Sequence, residues 1–420
     1  MAVRGLLTLG VLAGLLAPGA AMAMSLPDAI ALAQRGNPGL AQSKAQADAA
    51  GARLEQARGA RLPSLTLSGE AGQGATDLGG FFGFGQSDVS PRSAALQLRQ
   101  PLYAGGAINA AIDRARGGRD AALAQVGGAR ALLAAEAAQA YVGVLSAQEM
   151  LTLNTAQIVQ MEEIARQAQL RFKGGETPRT DLAQAQARLA EARAGLARAE
   201  GDLARSRAHF VTVIGVEADS LEALPEPPIT PLTLDEAVAQ ASQASPALLA
   251  AEARLRAAEA GARYAQADRL PNLAIAATAS SARDQFFPGY RSDGVTVGVQ
   301  GRWTLFSGGV ISGRVEEARA EAQAARFGLE ATRAQVREAV ISSWGDVATA
   351  RAVAAASTEQ VAAAASALDS VRNEVRVGQK PTLDLLDAQR EALGARSASV
   401  VARGDAVVAA YRLNALLHAQ

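Results

Sequence analysis

The sequence predicts an α+β membrane protein built from two structural repeats, each a hairpin of long coiled-coil helices attached to two strands. Three observations carry this: an internal duplication, prolines that leave four very long stretches uninterrupted, and an export leader on a chain with no other segment apolar enough to span a bilayer as a helix.

The duplication shows at four places. LPDAIALAQRGNPGL at 26–40 matches LDEAVAQASQASPAL at 234–248, and RLPSL at 61–65 matches RLPNL at 269–273, both 208 positions apart. QPLYAGG at 100–106 aligns with WTLFSGG at 303–309, and GGETPRTDLAQAQ at 174–186 with VGQKPTLDLLDAQ at 377–389, both 203 apart. A loop shorter by five residues between the strands of the second half accounts for the change. The chain accordingly divides into a leader at 1–23, a first repeat at 24–214, a linker at 215–233 with Pro225, Pro227, Pro228 and Pro231, and a second repeat at 234–420.

In the leader, Arg4 precedes an apolar run that ends in Ala21-Met22-Ala23, the small-x-small pattern of a secretory cleavage site, so the mature chain is expected to begin near Met24. An exported chain of this kind is either soluble or crosses a membrane as a β-barrel. With no Cys, disulfides, thiolate metal sites, Cys nucleophiles and a lipid-bearing N-terminal Cys are all excluded. The 41 basic and 41 acidic residues balance and leave no electrostatic footprint for nucleic acid. Aromatics at 4% and abundant Ala favour long packed helices over a compact core.

Each repeat opens with a shorter helix, at 39–60 and 247–268, followed by two strands, at 62–74 and 92–103 in the first half and at 270–282 and 294–306 in the second. Leu65 and Leu67 alternate with Thr66 and Ser68, Leu96 and Leu98 with Gln97 and Arg99, Leu273 and Ile275 with Ala274 and Ala276, and Val295, Val297 and Val299 with Thr296 and Gln300. One face is apolar and the other polar, as in a barrel strand between lipid and water. A hairpin lying on a soluble core gives the same alternation, and from these segments alone that alternative stays open. Four strands cannot close a membrane barrel, so a spanning chain must oligomerise.

Long helices are expected at 107–174, 178–214, 310–377 and 381–418. Seven-residue stripes support them: Val144, Leu151, Ile158, Ala165 and Phe172, matched by Val347, Ala354, Val361, Leu368 and Val375. The return helices carry Leu182, Leu189, Leu196, Leu203 and Phe210, and Leu386, Leu393, Val400 and Val407, one step out of register with each other. Gly117, Gly118, Gly127 and Gly128 each cost up to about 1 kcal/mol against Ala, so the first long helix is expected to bend or fray there.

The helices turn at two tips. In each, a Gly (Gly175, Gly378) breaks the helix, a Pro (Pro178, Pro381) fits the first position of the next one, and an acid (Asp181, Asp384) meets the positive end of its dipole. No catalytic constellation accompanies them. His209 and His418 lie near helix ends, and no H-E-x-x-H, G-x-S-x-G or P-loop pattern occurs, so the chain reads as a non-enzyme without cofactor or metal. A periplasmic coiled-coil adaptor is the alternative, but adaptors carry one helical hairpin within globular β domains, whereas this chain carries two hairpins and no such domain.

The order helix, strand, loop, strand, long helix, tip, long helix, repeated behind a leader, resembles the TolC family of outer-membrane efflux and secretion channels. The motifs that carry the resemblance are Leu62-Pro63 and Leu270-Pro271, PLYAGG and TLFSGG, and LDLLDAQ in the second tip. The resemblance implies a homotrimer whose strands form one 12-stranded β-barrel and whose helices form a periplasmic α-barrel. It implies an outer-membrane location in a Gram-negative bacterium, surrounding lipid, and as partners a periplasmic adaptor and an inner-membrane ABC, RND or MFS transporter. It further implies that Asp384 and Asp387 form the pore constriction, and that Lys380 latches the mouth against Thr180 and Asp181. A gate aromatic of the family falls at Val375, which removes a hydroxyl partner and implies a latch easier to open. Small-molecule efflux and type I protein secretion use the same architecture, and both remain open.

Overall fold

The computed structural model describes residues 23–80 and 85–417; the leader with its Ala21-Met22 pair, the loop stretch at 81–84 and His418 lie outside the described residues. The chain runs α1 (Leu26–Gly36), α2 (Pro38–Gly59), β1 (Ser64–Ala71), β2 (Gly74–Asp77), β3 (Gln86–Val89), β4 (Arg92–Ala104), α3 (Ala107–Lys173) and α4 (Arg179–Ile214). It continues as α5 (Leu234–Ala244), α6 (Pro246–Ala267), β5 (Asn272–Arg283), β6 (Arg291–Arg302), α7 (Val310–Arg376) and α8 (Thr382–Leu417). No described helix is long and apolar enough to cross a membrane.

Two compact units emerge, and both repeats feed each of them. Of the described residues, one gathers 23–37 with 134–228 and 349–408; the other gathers 38–80, 85–133, 229–348 and 409–417.

The second unit holds a four-stranded antiparallel sheet in the order β1-β4-β5-β6. The repeats meet at β4 and β5, paired from Arg92↔Arg283 to Ala104↔Asn272, with an irregularity at Pro101 and Tyr103 where proline has no N–H to give the ladder. β1 and β6 lie at the sheet's two edges. Residues directly opposite each other share a face, so Leu65, Leu98, Ala277 and Val297 form one apolar row and Leu67, Leu96, Ala279 and Val295 the next. Thr66, Gln97, Thr278 and Thr296 form a row on the opposite face. The apolar face is uncovered: Leu67 is 74% exposed, Val295 77% and Val297 69%. A hairpin laid on a soluble core would have buried these side chains.

The strand ends differ from the sequence expectation. The first segment breaks at Gly72 and Gln73, beyond which β2 pairs with β3 as a separate two-stranded extension. β6 stops at Arg302 although its alternation continues to Leu305, because its partner β5 begins only at Asn272, just after Pro271.

At the glycines of α3 the helix does not fray, for it is continuous from Ala107 to Lys173. A Cβ on Gly117 would stand 2.8 Å from the Ala253 carbonyl oxygen and 2.9 Å from the Ala257 Cβ, so the residue lets α3 approach α6. The core of this unit joins Leu248 and Ala251 of α6 to Leu329, Val336, Val340 and Val347 of α7 and to Leu413 and Leu417 of α8.

In the other unit, Met161, Ile164 and Ala168 of α3 pack with Leu182 and Ala185 of α4 and Leu386 of α8, while Ala364 and Leu368 of α7 pack with Ala392 and Ala395 of α8. The spacings are those of coiled-coil seams. Tyr141, fully buried on α3 with its ring 6.5 Å from that of Phe210, points its hydroxyl at the carbonyl oxygens of Met24 and Glu222, at 2.8 and 2.9 Å. Burial and the nearby Glu222 charge push its pKa up to about 12, so it stays a hydroxyl donor in any physiological medium. Met24 in turn bridges to Leu221, its N–H donating to Ser220 O at 2.9 Å and its carbonyl accepting from Glu222 N at 3.0 Å. The start of α1 and the linker are thereby tied to one helix.

Candidate functional site: the hairpin tips

Both long hairpins turn through the same backbone motif. At the first, Glu176 N–H donates to Arg171 O at 2.9 Å and Gly175 N–H to Phe172 O at 3.1 Å; at the second, Gln379 N–H donates to Glu374 O at 2.8 Å and Gly378 N–H to Val375 O at 3.1 Å. These six-to-one and five-to-two bonds are a Schellman cap, which requires a left-handed residue after the last helical turn. Gly175 at φ 73° and Gly378 at φ 78° supply it.

The prolines sit one position earlier than expected. Pro178 is the N-cap of α4, with φ −67° and ψ 159°, and Pro381 stands just before the first residue of α8, Thr382. Each proline lies just outside its helix, Pro178 with an extended ψ, and its carbonyl still accepts the first turn's bond, from Asp181 N at 3.2 Å and from Asp384 N at 3.2 Å. Asp181 and Asp384 thus occupy equivalent first turns, where the helix dipole favours a carboxylate.

The charges around this common frame differ. Asp384 is half-buried, and Asp387, one turn later, is exposed and 3.3 Å from the Arg188 guanidinium of α4, which also holds Glu191 at 2.9 Å. Arg188 was not among the residues singled out from the sequence. The signal was present, for its counterpart 203 positions on is Glu391, a reversal of charge between the repeats.

Lys380 does not reach Thr180 or Asp181 within the chain. Its ammonium pairs with Glu374 at 2.8 Å, and that hydrogen bond, the Glu374 charge and a smaller contribution from Asp384 hold its pKa above the ordinary lysine value. A partner six residues away across its own turn is nearer than one on the other hairpin. Thr180 and Asp181 meet each other, the hydroxyl 3.5 Å from the carboxylate. Val375 is buried and lines a small cavity of about 30 Å³ with Thr177, Asp181, Thr382 and Leu385. The Thr177 hydroxyl oxygen is buried there without a hydrogen-bond partner. Among the described residues no cluster of His, Cys, Asp or Glu is arranged to hold a metal.

Two turns into α8, Gln389 is buried between cavities of about 740 and 220 Å³, and its side-chain oxygen also lacks a partner. Arg372 lines both cavities.

Comparison with known proteins identifies the family of the chain. The family model described as outer membrane efflux protein matches residues 29–216 and 237–418. The outer membrane efflux protein BepC of Brucella suis is 30% identical over 280 residues, 66% of this chain, and the match spans 61% of BepC's own length. Protein CyaE of Bordetella pertussis is 32% identical over 390 residues, covering 90% of this chain and 80% of CyaE. In fold, the Campylobacter jejuni CmeC outer membrane channel superposes with a TM-score of 0.83 at 16% identity, covering 94% of this chain and 85% of CmeC. Family model, relatives and fold agree with the two-repeat architecture, and the chain belongs to the outer membrane efflux protein family, as an outer-membrane channel protein of the TolC type.

Proposed function

We propose that three copies of the chain close a 12-stranded barrel in the outer membrane of a Gram-negative bacterium and export substrates through it, working with a periplasmic adaptor and an inner-membrane transporter. The leader at 1–23 is removed on export, and each mature chain brings one sheet and two helical hairpins. The observation that carries this reading is the uncovered apolar face of a sheet with two edge strands, which lipid covers on one side and neighbouring copies complete at the edges. In this assembly the tips form the inner mouth. Asp384 and Asp387 line its constriction, six carboxylates in a trimer, and favour cations over anions. Lys380 serves as the latch by exchanging Glu374 for Thr180 and Asp181 as the mouth closes.

Mass measurement in detergent, followed by planar-bilayer recording, tests the proposal. The expected result is a trimer that inserts and conducts with cation preference. A water-soluble monomer that never enters bilayers would overturn it.

A further inference from the structure

We propose that a row of arginines at the loop end of the sheet binds the phosphate headgroups of outer-leaflet lipid. Arg92, Arg283 and Arg291 stand directly opposite one another on β4, β5 and β6, and therefore project from one face. That face is the apolar one. Along it the rows run from Leu65, Leu98, Ala277 and Val297, through Leu67, Leu96, Ala279 and Val295, then Gly69, Ala94, Ser281 and Asp293, to the arginines. Asp293 and these arginines are the charged residues on this face of the four strands.

Their height fits a headgroup layer. At the helix end the same face carries Tyr103 opposite Leu273, and just beyond the end of β6 stands Trp303, whose indole N–H donates to Arg269 O at 3.1 Å. Such aromatics mark a membrane interface. From Leu273 to Arg283 is ten steps along β5, roughly 33 Å at about 3.3 Å per residue, or about 25 Å along the bilayer normal for a strand tilted about 40°, the height of an apolar band. The arginines then lie at the opposite interface, the outer one if the helices face the periplasm. This placement rests on the barrel reading above.

The positive charge is only partly cancelled. Asp293 receives Arg283 through both oxygens, at 3.0 and 3.1 Å, and Arg291 Nε at 3.2 Å. Among the described residues no ion pair joins Arg92 to an acid, and the neighbouring Asp284 carboxylate accepts the Gly289 N–H at 2.6 Å. On this face of the strands three guanidinium groups stand against one carboxylate, a surplus of two charges per chain, and Asp284 beyond the end of β5 keeps one negative charge nearby. Guanidinium forks match phosphate oxygens in pairs, and Arg283, already oriented by Asp293, fixes the middle of the row.

The test uses the full-length protein in zwitterionic vesicles doped with phosphatidic acid, with protein-bound anionic lipid counted by native mass spectrometry. Replacing Arg92 and Arg291 by Ser should lower the preference for phosphatidic acid by roughly 25-fold, about 5-fold for each basic residue near the surface, while the double Lys variant keeps most of it. Inorganic phosphate at millimolar concentration should not compete, since the lipid is presented at the row by the bilayer. Equal preference in the wild-type and double Ser proteins would overturn the proposal, and effective competition by free phosphate would overturn its lipid assignment. If the double Ser variant does not fold, Arg92→Ser alone breaks no ion pair and still reads the effect. A chain that inserts in no vesicle refutes the barrel reading instead, whereas one that inserts and conducts without lipid preference refutes only the arginine row.

Discussion

At the first tip Gly175 and Pro178 enclose Glu176 and Thr177; at the second Gly378 and Pro381 enclose Gln379 and Lys380, with the same capping bonds and nearly the same φ. Around the first stand Arg171 and Gln184, and at the equivalent places around the second Glu374 and Asp387. The turn is a property of the backbone and has been kept in both copies, while the charges have diverged. What the comparison teaches is that the two tips share a frame and differ in charge, so the proposed constriction draws its extra carboxylate, Asp387, from the second tip.

The sharpest way to break that view is to neutralise each tip in turn. Asp384→Ala with Asp387→Ala should weaken block by a trivalent cation, applied from the tip side in planar bilayers, by about tenfold or more, whereas Asp181→Ala should change it less than about twofold. Equal losses would make both tips part of one constriction.

Next in size is a pair of opposite effects. Lys380→Ala should raise resting conductance by a few-fold, and Glu374→Gln, which releases the ammonium toward Thr180 and Asp181, should lower it by a similar factor. If both variants move conductance the same way, the exchange of partners is refuted.

The backbone half of the comparison predicts equality. Gly175→Ala and Gly378→Ala each place a Cβ in the left-handed region, at a cost of about 1–2 kcal/mol, and should lower thermal stability alike. A large difference would show that one tip is held by more than its cap.

The smallest expected effect is a flat pH profile. Because Lys380 is raised above its ordinary value, the stabilisation from its pair with Glu374 is complete below that ordinary value and is lost only as pH rises through the raised one. Resting conductance governed by this lysine should therefore stay level between about pH 7 and 9. A midpoint within that window would assign the latch to another group.

Much of the fold was legible because proline and glycine punctuate it locally. The long helices end at the Gly-Pro tips, and the tips declare themselves as repeats. The reason for Gly117 is Ala253 on another helix, a partner that no spacing along α3 reveals. The pairing of Lys380 with Glu374 escaped for a similar cause: the cap folds the chain back on itself and brings together residues that an α-helix would not align. Arg188 could have been found by asking where the two repeats disagree in charge, and the rows of the sheet could not, because register follows from which strands meet.

That meeting has a consequence for the order in which the protein is made. β4 closes at Ala104 and its partner β5 opens only at Asn272, so the strand that joins the halves waits for α3, α4, the linker, α5 and α6 to be synthesised and exported. At roughly 5 to 20 residues per second the delay is on the order of ten seconds or more. Throughout it, β4 presents an unpaired row of backbone donors and acceptors, and β1 can cover only its other side. Such an edge recruits any extended chain nearby, including the same strand of a sister molecule. The open edge of β4 therefore persists until β5 emerges, and α7 and α8 follow the last strand of the sheet.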